Sequence, residues 1–135
     1  MTVRGELIER SLDLVAERHG DPAPQIYARL FAAFPETEEL FVRDTTGAVR
    51  GEMLAVTFQC LLDVTGSGAY AANLIRAERV NHEGVGVPPA AFVRFFPIVM
   101  ETCRDLLGEA WTPEIDAAWA DLLIELEAVI ASVEQ

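Results

Sequence analysis

Apolar residues recur along this chain every three or four positions, and no stretch alternates between hairpin turns. That period predicts helices throughout. Ile8, Leu12 and Val15 mark a first amphipathic helix ending near His19-Gly20. Asp21 and Pro22 supply a cap and a first-turn proline for a second helix, which carries Ile26, Leu30, Phe31 and Phe34. Pro35 opens a short third helix that closes at Leu40-Phe41, and residues 42–47 read as a loop. A fourth helix runs from about Ala48 to Thr65, with Met53, Val56, Cys60 and Val64 on one stripe. Gly66-Ser67-Gly68 breaks the pattern before a fifth helix from about Ala69 to His82, which Gly84 and Gly86 end. Pro88-Pro89 starts a sixth, carrying Phe92, Phe96, Val99, Cys103 and Leu106; Pro97 should kink it and Gly108 should end it. Thr112 and Pro113 begin the last helix, whose Ile115, Trp119, Leu122, Leu126, Val129 and Val133 share a face. The short connection before it predicts that the last two helices form an antiparallel hairpin.

Composition narrows the function classes. A length of 135 residues predicts one domain, residues 1–135, able to bury a core without disulfides or metals. The net charge of −12 argues against nucleic acid and anionic membranes as partners. All ten basic residues are Arg, which excludes Schiff-base chemistry on a lysine. Cys60 and Cys103 have neither disulfide-framework nor metal spacing and read as small buried hydrophobes. The N-terminus lacks a signal-peptide core, and no apolar run approaches the ~20 residues of a membrane span. A cytoplasmic protein is expected.

Of the two histidines, His19 lies at an N-terminal corner, whereas His82 follows one long helix and precedes another. Four segments give His82 a context: Tyr27-Ala28-Arg29-Leu30-Phe31-Ala32-Ala33-Phe34-Pro35; Leu40-Phe41; His82 with Gly86-Val87 four residues on; and Leu107-Gly108-Glu109-Ala110 followed by Ala118-Trp119. In this order, over nearly the whole chain, they resemble the bacterial single-domain haemoglobins and the haem domains of flavohaemoglobins, in the globin family. The resemblance implies an all-α globin fold of about seven helices, three on three. It also implies a haem b (iron protoporphyrin) held by His82 as proximal ligand and a diatomic gas, dioxygen or another, bound at the iron.

The remaining site residues follow from that resemblance. Phe41 takes the place of the Phe that stacks on haem; Leu54, Val87 and Phe92 join it in lining an apolar slot, with Phe31, Phe34, Val85 and Phe96 as further candidates. Tyr27 and Arg50 are the distal candidates, Arg50 facing either the gas or a haem propionate. Arg79 and Arg43 are further propionate partners. Gln59 faces away, His19 is in the wrong corner, and Met53 is turned about 60° from Arg50 by the ~100° per residue of a helix, so no second protein ligand to the iron is expected. Relatives often carry Tyr where Phe92 stands, joined to a Glu that matches Glu134. Without that hydroxyl, the push that favours peroxide cleavage is weakened. No Gly-rich dinucleotide motif is present. Three readings remain: a gas-binding haemoprotein, a nitric-oxide dioxygenase working with an external reductase, or a haem-free globin-fold interaction protein.

Overall fold

The computed structural model describes residues 2–65, 69–84 and 86–131. Six α-helices are present among them: α1 (Val3–His19), α2 (Ala23–Ala33), α3 (Ala48–Val64), α4 (Ala69–Gly84), α5 (Pro89–Leu107) and α6 (Pro113–Ala131). Two 3-10 segments, Pro35–Phe41 and Gly108–Ala110, follow α2 and α5. No strand occurs among the described residues. Gly66-Ser67-Gly68, Val85, Val133 and Glu134 lie outside the described residues.

The helix ends follow from local chemistry. Thr2 caps α1 by accepting the Gly5 N–H at 3.0 Å, and its hydroxyl donates to the Thr65 carbonyl, tying the start of α1 to the end of α3. Helix α2 begins one residue later than the Asp21-Pro22 pair predicts, because the Asp21 carboxylate accepts the Ala23 N–H at 2.9 Å. Thr112 caps α6 through the Ile115 N–H. Helix α5 continues through Pro97, whose nitrogen carries no hydrogen for the ladder bond to the Val93 carbonyl. Helix α4 runs two residues past His82, so the histidine lies within its last turn rather than at its end.

Helix α1 packs on α6 and α5, α3 on α4, and α2 on α5, while α6 also meets α4 and α5. One core runs between the helices and includes Ile8, Val15, Ile26, Leu61, Val99, Cys103, Leu122 and Leu126. Trp119 of α6 is fully buried at its centre. Its indole N–H donates to Ser11 Oγ at 2.9 Å, and that hydroxyl donates to the Ile8 carbonyl at 2.6 Å. A buried indole needs such a partner, and this one locks α6 onto α1. No helix is long and apolar enough to cross a membrane among the described residues.

Removing the hydroxyl should expose that dependence. Ser11→Ala leaves the Trp119 N–H buried without an acceptor, and should cost about 1–3 kcal/mol of stability in a urea titration. Unchanged stability would mean that another group takes over the proton.

Candidate functional site

An apolar cavity of about 350 Å³ opens between α2, α3 and the Pro35–Phe41 segment on one side and α4 and α5 on the other. His82, Phe92 and Val87 line the second side; Tyr27, Phe41 and Met53 line the first. At its rim Leu40, Val49 and Val56 are exposed to 44%, 52% and 42%. Exposed aliphatic groups converging on one opening mark a binding surface rather than scattered surface residues.

His82 is held by its own helix. Its Nδ1 lies 2.7 Å from the Glu78 carbonyl oxygen, one turn back. A carbonyl can only accept, so Nδ1 carries the proton and Nε2 keeps the free lone pair. The Glu78 carboxylate lies farther from the same nitrogen, at 3.5 Å, an ion-pair rather than a hydrogen-bond distance. The Phe92 ring packs beside the imidazole at 5.3 Å between centroids. This is the arrangement a metal-binding histidine needs: one ring nitrogen spent on an acceptor that fixes tautomer and orientation, the other free.

The spacing from His82 to Gly86-Val87 now has a physical cause. The Val87 N–H returns to the His82 carbonyl at 2.9 Å, and the Gly86 N–H to the Glu83 carbonyl at 3.1 Å. Those two bonds are the Schellman ending of a helix, which needs a positive φ at the glycine; Gly86 has φ +100°. The motif therefore ends α4 at a fixed distance from the histidine and brings Val87 to the cavity.

The facing wall departs from the sequence expectation. The positions of α3 on the cavity are Val49, Glu52, Met53, Val56, Thr57 and Cys60. Arg50 is not among them, and Leu54 is buried in the core at 2% exposure instead. The expected distal register is thus one residue off. The reason lies at the start of α3, where Gly47 holds the cap position with φ +79° and has no side chain. Asp44 takes over: its carboxylate accepts the Val49 and Arg50 N–H groups at 3.1 and 3.0 Å and the Arg50 Nε at 2.9 Å, while Arg50 Nη2 donates to the Asp44 carbonyl. The clamp holds Arg50 at the loop and turns Val49 and Met53 inward. Desolvation pushes the Asp44 carboxyl up, but the N–H groups of Arg50 and Val49 and the Arg50 charge outweigh it and hold it below the usual range.

Tyr27 is buried at 2% exposure on the cavity wall, against Phe41 and Phe95 at 5.5 Å. Its phenol oxygen is buried and has no hydrogen-bond partner among the described residues. Burial pushes the phenol far up, Arg50 opposes that and Asp44 adds to it, so the proton stays on. A buried unpaired hydroxyl costs roughly 1–3 kcal/mol, which suits a group that waits for a ligand.

The other expected residues divide. Phe41, Val87, Phe92 and Phe96 line the cavity; Phe31 and Phe34 do not, Phe31 packing instead on Tyr27 and Phe41. Arg79 is 9% exposed and pairs with Glu83 away from the lining, and Arg43 is exposed and also off it. His19 bonds the Leu106 carbonyl at the far end of α5. Gln59 is exposed, as expected. Met53 faces the cavity, against expectation, because it follows Val49 by one turn. Phe95 and Cys60 were missed as lining residues; Phe95 lies three positions after Phe92, a spacing that could have placed it.

The sequence model of the globin family matches residues 24–130. The chain belongs to the globin family. Among curated proteins this globin is 26% identical over 144 residues to a flavohemoprotein of Rhizobium meliloti (strain 1021), covering 99% of this chain and 34% of the relative. It spans about a third of that protein's length. It is also 26% identical over 129 residues to an anaerobic nitrite reductase of Oryza sativa subsp. indica, covering 93% of this chain and 89% of the relative. The family generally binds haem, and the residues present fit that group: an apolar slot, an imidazole with a free Nε2, and an orphaned buried phenol on the opposite wall.

If Gly86 fixes the end of α4, Gly86→Ala should strain it. Its φ of +100° suits no L side chain, so the variant should lose about 1 kcal/mol or more by thermal denaturation. A melting curve identical to the native one would show that the turn does not depend on glycine.

Proposed function

We propose that this globin binds haem b through His82 and reversibly takes dioxygen or another diatomic gas on the opposite face. One observation carries the reading: His82 spends Nδ1 on the Glu78 carbonyl, so its only free lone pair is on Nε2, beside an apolar slot. Bound haem supplies an iron that accepts the imidazole on one side and a gas on the other. The chain's own residues do the rest. Phe41, Val87 and Phe92 exclude water from the slot. The Glu78 carbonyl orients the imidazole. Tyr27 keeps its proton and has no protein acceptor, so it is free to donate to the gas.

A redox reading is second, and the printed names of two relatives favour it: a flavohemoprotein and an anaerobic nitrite reductase. Nitric-oxide dioxygenation or nitrite reduction by this chain would draw electrons from an external reductase. A haem-free interaction protein gains no support from a histidine so tied beside such a slot. On the proximal side, Phe92 puts no hydroxyl beside the imidazole, which supports gas binding over peroxide turnover.

His82→Ala should abolish stable haem uptake or leave a site rescued by added imidazole, read as loss of the Soret band at equal protein. Full haem stoichiometry in the variant would remove His82 from the role. Tyr27→Phe should speed dioxygen release. One charge-assisted hydrogen bond is worth roughly 1.5–3 kcal/mol, or about ten- to a hundred-fold in the dissociation rate, with carbon monoxide much less affected. Equal dioxygen release rates in the two proteins would assign that role to water or to another side chain.

A further inference from the structure

The wall facing His82 carries a sulfur atom as well as a phenol. Met53 lies on the cavity face of α3, one turn beyond Val49, and is only partly buried. The other donors on the wall opposite His82 are compromised as neutral-pH ligands. The Thr57 and Thr37 hydroxyls donate to the Met53 and Phe34 carbonyls at 2.8 and 2.7 Å. The Tyr27 phenol is held protonated by burial. The Cys60 thiol is pushed up by desolvation, and the charges of Asp63 and Glu78 add to it. Glu52 is exposed. A thioether needs no deprotonation, loses little hydration on burial, and rides on a side chain with three rotatable bonds. Soft thioether sulfur is an established axial donor to haem iron in combination with histidine.

We propose that Met53 is a reversible axial ligand to the iron, opposite His82, when no gas is bound. The assignment rests on the haem reading above. Gas would then compete with the thioether for the same position. Two consequences follow. Histidine–methionine ligation raises the reduction potential relative to an iron with histidine alone. The apparent gas affinity falls by the fraction of time the site is open.

The test uses the full chain, loaded with haem, and three proteins: native, Met53→Leu and Cys60→Ser. Leucine conserves volume and keeps the wall apolar. The expected native protein is six-coordinate and low-spin without gas, with the sulfur-to-iron charge-transfer band of a ferric methionine complex in magnetic circular dichroism. Met53→Leu should lose that band, become high-spin at unchanged haem stoichiometry, and show a lower midpoint potential. If the native iron is open about a tenth of the time, the variant should bind carbon monoxide about ten-fold more tightly. Cys60→Ser should leave the native signature in place. A haem-loaded native protein that is high-spin, or a low-spin spectrum unaltered by Met53→Leu, overturns the assignment and leaves the haem reading standing. A spectrum that changes with Cys60→Ser instead also overturns it. A native protein that takes up no haem overturns both.

Discussion

The hydrogen bond from His82 Nδ1 to the Glu78 carbonyl is the constraint on which the site depends. It is 2.7 Å long, lies within one helix, and decides which ring nitrogen is available. Everything around it keeps that nitrogen beside an apolar space. The Schellman ending at Gly86-Val87 stops α4 two residues after the histidine, the Val87 N–H bonding back to the histidine's own carbonyl. Phe92, from the first turn of α5, packs against the ring. A backbone carbonyl is a neutral acceptor, and on the proposed reading it would orient the imidazole toward a metal without drawing it to imidazolate as a carboxylate acceptor can. Phe92 adds no hydroxyl beside the ring.

The opposite wall is set by a different interaction, the Asp44–Arg50 clamp. It supplies the cap that Gly47 lacks and fixes the rotation of α3 about its axis. That rotation buries Leu54 in the core and leaves Val49 and Met53 on the cavity. The result is a cavity wall on which the Tyr27 hydroxyl is buried and lacks a partner among the described residues. The core beneath, locked by the Trp119–Ser11 bond, gives the two walls a fixed frame.

These two sides were unequally legible in the sequence. The helices and most of their ends could be read because caps, prolines and glycines act within a few residues: Thr112 caps α6, Pro35 opens the 3-10 segment, and loop 42–47 ends at Ala48 as expected. The helix ending after His82 was legible for the same reason, since the His82–Gly86–Val87 spacing encodes it locally. Leu54 lies in the core and Arg50 off the cavity lining because the phase of α3 depends on a carboxylate six residues before Arg50, reaching across a glycine turn. A shift of one residue rotates a helix by about 100°, enough to exchange a core face for a cavity face. Helix α2 began one residue late for a similar reason, as Asp21 reached past Pro22 to the Ala23 N–H.

The central claim is that His82 would hold haem iron through Nε2 as a neutral imidazole bonded to a backbone carbonyl. Resonance Raman spectroscopy of the ferrous haem-loaded protein, taken just after photolysis of carbon monoxide, reads the iron–histidine stretch directly. The account predicts a single stretch at the frequency of a neutral imidazole with a weak acceptor, absent when His82 is replaced. A stretch raised to the imidazolate range, or one that survives loss of His82, would contradict it.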